Sequence, residues 1–222
     1  MNRIVCDASS IITLSSNCLL WTLAHFKNIE FVVPPFVKRE AVDVPLSSKR
    51  HGFDAMRNGN CIGNSLKVLE SDAALRNRLL NLSNSVLVSK NRNFKIVHRG
   101  EIDMIAVAKK HGIQTLLVDE KNTRLLIEDV PRLKKIMERR TGRNIEINQE
   151  KMMELKKELN GLKVIRSSEI VAAAVKRNII DWPYSKRQLL RSALYALKFK
   201  GCAITEGEVV ELVNVVAPVK GE

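Results

Sequence analysis

Aromatic side chains are scarce in this chain, at 5% of 222 residues. Any core must therefore be filled mainly by Leu, Ile, Val and Ala, within an apolar share of 45%. Long apolar runs are missing too. None approaches the roughly 18 residues of a membrane-spanning helix, and Asp7 breaks the first apolar run too early for a secretory leader. Both absences point to the cytoplasm and to no membrane partner. Cysteine occurs four times (Cys6, Cys18, Cys61, Cys202), never as a CxxC pair and never with a His at zinc-ligand spacing. The four read as reduced, mostly buried thiols, which argues against a disulfide framework or a zinc site. The histidines (His25, His51, His98, His111) are scattered, and no serine has the His–Asp partners of a nucleophilic triad. There is no internal repeat, low-complexity linker or clean boundary, so residues 1–222 read as a single domain.

Acids are also short, at 24 Asp and Glu against 37 Lys and Arg, a net charge of +13. Such an excess favours polyanionic partners, nucleic acid ahead of an anionic membrane, although plain solubility is the simpler reading. The excess is locally concentrated. Between 131 and 143, Arg132, Lys134, Lys135, Arg139, Arg140 and Arg143 face one acid, Glu138. Clustered cations of this kind release counterions from phosphate backbones. An aromatic stacking platform is absent there, so specific reading of a single strand is not supported.

What is present alternates between strand and helix. "RIVC" at 3–6 reads as a short buried strand, with a helix from about Ser9 and a further helical stretch from Leu19. Residues 29–33 (IEFVV) read as a second strand, stopped by Pro34-Pro35, which also opens the helix "FVKREAV". Residues 45–65 look loop-like. "LKVLE" at 66–70 fits a third strand, and Ser71 is placed to cap a helix running to about Leu82. A helix over 100–112 stops at Gly112, and "IQTLLVD" at 113–119 is an apolar strand ending in an acid.

Residues 131–160 read as a charged helical hairpin turning near Thr141-Gly142, inserted into this rhythm. Its apolar stripe (Leu133, Ile136, Met137, Met152, Leu155, Leu159) is expected to pack the hairpin on itself or on a second subunit. The strand–helix pattern resumes at 162–180. Helices follow over 185–222, one ended by Gly201 and the last opened by the capping box Thr205–Glu208. The expected fold class is α/β, a three-layer α/β/α arrangement around a mostly parallel sheet.

In a parallel sheet the carboxyl ends of all strands share one edge, where open α/β sheets bind ligands. Asp7 follows strand one and Asp119 follows "TLLV", so two acids far apart in sequence should be spatial neighbours. Glu40 starts from the same edge, and Glu101 and Asp103 open the helix before the Asp119 strand. Singly, each has a plainer reading: Asp7 as an N-cap, Glu40 as a solvated helix residue, Glu101 and Asp103 as complements of a helix dipole, Asp119 as a turn residue. Together, converging carboxylates would repel unless a cation sat among them. Mg²⁺ or Mn²⁺, which prefer carboxylate oxygens and keep water, suit phosphodiester hydrolysis.

The stretches "IVCDASSII", "PPFVKREAV" and "GEIDMIAVAKKHGIQTLLVDEKNTR" together resemble PIN-domain proteins, metal-dependent ribonucleases that include the VapC-type toxins. The likeness runs over about 3–130 and resumes over 162–201, and its nearest look is to archaeal members. It implies an endoribonuclease that uses Mg²⁺ or Mn²⁺. Asp7, Glu40, Glu101 and Asp119 would be the catalytic acids, and Asp7, Glu101, Asp103 and Asp119 the metal ligands. Either Glu101 or Asp103 would serve as the third acid. Ser9, Asn122 and Arg124 match substrate-side positions, and Arg132, Lys134, Lys135, Arg139 and Arg140 are the candidate RNA cations. RNA, a homodimer, and an antitoxin or other protein are the implied partners. The alternative is an inactive PIN-like module that binds RNA or a protein.

Overall fold

A computed structural model describes residues 2–90 and 92–218. Strand β1 (Asn2–Cys6) leads into α1 (Ala8–Ser16), a 3-10 segment (Leu20–His25), β2 (Ile29–Val33) and α2 (Pro35–Lys38). Helix α2 widens into a π-type turn (Arg39–Asp43), then a 3-10 turn (Pro45–Ser47). Next come α3 (Gly52–Cys61), β3 (Leu66–Val68), α4 (Ala73–Ser83), β4 (Leu87–Ser89), β5 (Arg92–Asn93), α5 (Arg99–Lys110), β6 (Thr115–Leu117) and α6 (Lys121–Glu128). The chain continues through α7 (Val130–Thr141), β7 (Glu146–Ile147), α8 (Gln149–Leu159), β8 (Lys163–Ile165), α9 (Ser167–Lys176), α10 (Lys186–Phe199) and α11 (Glu206–Val216).

Five strands form one sheet in the order β3-β2-β1-β6-β8, and every pairing in it is parallel. The register places Val5 beside both Val32 and Leu116, and Leu117 beside Ile165. Successive strand side chains leave on opposite faces, and both faces are apolar. Ile4, Cys6, Phe31, Val33 and Leu117 enter a core shared with α1, α9, α10 and α11. Val5, Val32, Leu116 and Val118 enter a second core shared with α4, α5, α7 and α8. The result is the three-layer α/β/α fold that continuous apolar strands imply. Among the described residues, no helix is long and apolar enough to cross a membrane.

Several local expectations are corrected. The stretch 45–65 contains α3, whose polar, Gly-containing sequence hides a helix that buries Ala55 and Asn58. Asn58 donates through Nδ2 to the Ala41 carbonyl at 2.9 Å, so tertiary contact supplies what propensity does not. Asp72, not Ser71, caps α4, because its carboxylate accepts from the amides of Ala74 and Leu75. The Ser71 hydroxyl goes to Asp103 instead. The stretch from Leu19 is 3-10 rather than α. Of the cysteines, Cys6 and Cys202 are buried, Cys61 is half-buried and Cys18 is exposed.

Over 131–160 the two helices do not simply fold on each other. Gly142 ends α7 at φ +66, and β7 follows before α8 begins. Strand β7 joins β4 and β5 in a small antiparallel sheet of order β5-β4-β7. The apolar stripe enters the chain's own second core: Leu133, Met137, Leu155 and Leu159 are all buried there. That core offers more apolar area than a two-helix seam could.

Candidate active site

The carboxyl edge of the large sheet is built from backbone that must be capped. Asp7 leaves β1 with its amide still in the ladder, donating to the Leu117 carbonyl at 3.0 Å. Its side chain is the N-cap of α1. Oδ1 accepts from the Ser10 amide at 2.7 Å, and Oδ2 accepts from the Ser9 hydroxyl at 2.6 Å. Asp119 does the same for another helix. Its Oδ1 accepts from the Ser167 amide at 2.8 Å and its Oδ2 from the Ser167 hydroxyl at 2.6 Å, at the first residue of α9. Helix N-termini leave amides without intrahelical partners, so both carboxylates sit where backbone donors converge.

Both acids are nonetheless under electrostatic stress. Asp7 is 3% exposed and Asp119 1%. Burial pushes the Asp7 carboxyl up to about 7; the serine bonds oppose this, and the charge of Asp119 adds to it. Burial likewise raises Asp119 against the bonds from Ser167, Cys202 and Thr13. Among the described residues, no cation offsets either group. Two buried carboxylates within electrostatic reach of each other, both hydrogen-bonded and neither ion-paired, form the clearest uncompensated charge in the fold.

A second pair of acids lies at the start of α5. Glu101 is the third helical residue and accepts from the His98 amide at 2.9 Å, closing a capping box. Glu40 lies in the π-type turn, where the Val44 amide reaches the Arg39 carbonyl at 2.9 Å. Glu40 is exposed overall, but its carboxylate rests on Gly100; a Cβ added there would lie 2.7 Å from Oε2. This contact removes water from the carboxylate and raises its pKa. The Glu101 charge raises it further, and His98 opposes the shift. Beside this pair, the Phe36 ring carries the guanidinium of Arg99 at 5.1 Å and that of Arg39 at 5.9 Å. The sequence places His98-Arg99 just before Glu101, where they could face substrate, but nothing in it singles out Arg39 or links Phe36 to position 99.

Asp103 goes elsewhere. Two residues from Glu101 is about 200° around a helix, and Asp103, 1% exposed, bonds the Ser71 hydroxyl and Arg76 Nη1, the latter at 3.0 Å. Its charge is balanced there and ties α5 to α4. Ser9 is half-buried and donates to Asp7. Asn122 and Arg124 lie on α6, just after Asp119, with Arg124 Nε 3.9 Å from Glu128. On α7, Lys134 is 3.4 Å from Glu138, while Arg132, Lys135, Arg139 and Arg140 are exposed. These α7 cations belong to the second layer of helices and are not brought to the acids by any contact. Ser167, which grips Asp119, was not among the expected site residues, because no motif connects 119 to 167.

Among the described residues, no three of His, Cys, Asp and Glu converge closely enough to hold an ion. The Asp7–Asp119 pair still fits a hard divalent cation. Each Asp7 oxygen accepts one bond from Ser9 or Ser10 and keeps a second lone pair, while Asp119 is held more fully, by Ser167 with Cys202 and Thr13; Mg²⁺ commonly takes one or two protein carboxylates with water completing its shell.

Comparison with known families gives one match: a PIN-domain family model covers residues 3–129, more than half of the chain, from β1 to the end of α6. No curated protein and no solved structure gives a significant match.

Proposed function

Because the chain belongs to the PIN-domain family, a nuclease-type fold, we propose that it is a metal-dependent endoribonuclease working at the carboxyl edge of the sheet. The observation that carries this reading is the buried Asp7–Asp119 pair, whose charge no cation among the described residues offsets. Mg²⁺ or Mn²⁺ held by these oxygens would supply Lewis acidity toward water and the scissile phosphate. The chain's own contribution is positional. Ser9, Ser10 and Ser167 fix both carboxylates through hydrogen bonds, so the donor oxygens are preorganised. Glu40 and Glu101 add negative charge at the first turn of α5, and Arg39 and Arg99 offer guanidinium donors to phosphate oxygens there. RNA rather than another polyanion is the substrate the family resemblance implies, and the net charge of +13 suits it.

The test is cleavage of a labelled RNA by purified protein with Mg²⁺ or Mn²⁺, and its loss with EDTA. No cleavage with either metal would remove the enzyme reading. The second reading, a PIN-like module that binds RNA without cutting it, is favoured by the lack, among the described residues, of a third ligand converging with the pair. Salt-sensitive RNA binding in the absence of cleavage would select it.

Gly100→Ala probes Glu40 without touching it. The clashing atom is the far end of a flexible side chain, so the helix is expected to survive within about 1 kcal/mol in a thermal melt. Glu40 is displaced, and RNA cleavage falls by about a hundredfold, the lower range of one acid–base contribution. Unchanged cleavage would remove Glu40 from the site.

A further inference from the structure

The small antiparallel sheet carries a second polar groove, on residues separate from the acid edge. Ser89 pairs with Arg92 across β4 and β5, and Val88 pairs with Glu146 across β4 and β7. This pairing folds residues 89–90 and 92–94 against Arg143, and the Ser89 hydroxyl donates to the Asn144 carbonyl at 2.8 Å. The groove between them, 490 Å³, is lined by Ser89, Lys90, Arg92, Asn93, Phe94 and Arg143. Lys90, Arg92 and Arg143 are exposed and form no ion pair among the described residues. Strand alternation sends Glu146, the one acid on the three strands, to the face opposite Ser89 and Arg92. Arg139 and Arg140, in the last turn of α7, add two more exposed cations but also complement the helix dipole. The three groove cations have no such structural role.

The polar groups of the groove are already used: Ser89 bonds Asn144, and Asn93 Nδ2 bonds the Ser85 hydroxyl at 3.2 Å. What is left to a ligand is positive charge, since the half-buried Phe94 packs against the second core. Free cations of this kind suit a polyanionic backbone and give little base-specific reading.

We propose that this groove is an RNA-holding site, separate from the acid edge, that grips backbone phosphates and supplies affinity rather than chemistry. The choice of RNA rests on the nuclease reading above; the cationic groove does not.

The test is metal-free binding of a labelled RNA, about 20 nucleotides long, to the full chain by fluorescence anisotropy across a salt series. The triple variant Lys90→Ala, Arg92→Ala, Arg143→Ala is expected to bind about tenfold more weakly or worse. Its slope of log affinity against log salt should fall by about 2, three phosphate contacts at roughly 0.7 each. Exchanging each cation for the other type (Lys90→Arg, Arg92→Lys, Arg143→Lys) keeps the slope, and hydrolysis of bis(p-nitrophenyl) phosphate with Mn²⁺, too small to span both sites, stays at the wild-type rate. Unchanged affinity and slope in the folded triple variant overturn the proposal, as does loss of binding to anionic vesicles with RNA binding intact. If RNA binds through the groove but is never cut, the nuclease reading fails and this site stands.

Discussion

Asp7→Asn is expected to abolish RNA cleavage and at the same time to stabilise the metal-free protein at neutral pH. A buried carboxyl lifted to about 7 is protonated in the native state over a range where the unfolded chain, at about 3.9, is already ionised. The native state therefore binds more protons between these values. Wild-type stability is full below about pH 4 and is lost as pH rises to 7, with Asp119, raised for the same reason, steepening the loss. Three units correspond to a ceiling of about 4 kcal/mol. An asparagine keeps one acceptor oxygen for the Ser10 amide and carries no charge, so a gain of about 1–3 kcal/mol at pH 8 is expected, with little gain at pH 4. Melts of both proteins across pH check this. A variant that melts below wild type at pH 8 by as much as at pH 4 would show that the charge is not strained. Added Mn²⁺ should raise Tm for wild type and not for the variant, about 2.7 kcal/mol at a hundredfold excess over Kd. Cleavage should fall at least a hundredfold, since the site offers no second pair of buried acids.

Arg166→Met is expected to produce the largest loss of stability. The Arg166 side chain is 11% exposed and donates to Glu169 at 2.6 Å, to Glu208 at 2.9 Å and to the Ala203 carbonyl at 3.1 Å. It joins the start of α9 to the start of α11; against the opposing effect of burial, the Thr205 amide and hydroxyl, and after them Arg166, hold Glu208 down at about 2. Breaking a buried pair from one side costs about 3–5 kcal/mol. Glu169 and Glu208 are each 34% exposed and regain some water, so about 2–4 kcal/mol is expected. In a chain of this size that lowers Tm by about 5–12 °C. Because Glu208 is depressed, the network contributes above the ordinary glutamate range and is lost as pH falls toward 2, opposite in direction to Asp7. The loss should therefore be large at pH 7 and shrink near pH 3. Arg166 also precedes Ser167, so the variant loosens the grip on Asp119, and cleavage measured well below the melt should fall with it.

Much of the acid edge was legible because it depends on local rules. A buried run ending in an acid gives a strand and a carboxyl end, whichever fold follows, and both Asp7 and Asp119 obey that pattern; Asp7, before small residues, also caps the next helix, whereas Glu120 caps the helix after Asp119. Parallel strands then force the two ends together. Glu101 and Asp103 were not separable by spacing. The structure sends one to its own helix cap and the other to Arg76, a choice that depends on what packs beside α5. The grip of Ser167 and the stack of Arg39 and Arg99 on Phe36 depend on residues 48 and 63 positions apart, respectively, in the Asp119–Ser167 and Phe36–Arg99 pairs.

The sequence by itself determined the parallel α/β framework, the edge at which the acids gather and the basic excess. Apolar periodicity, capping residues and net charge act over a few residues and need no partner. Only the tertiary structure decided which acids share a charge, which are neutralised and where the free cations lie. The small β5-β4-β7 sheet is the clearest case: strands of two or three residues are too short to show a period. They exist because long-range pairing and the core beneath them stabilise what local propensity cannot.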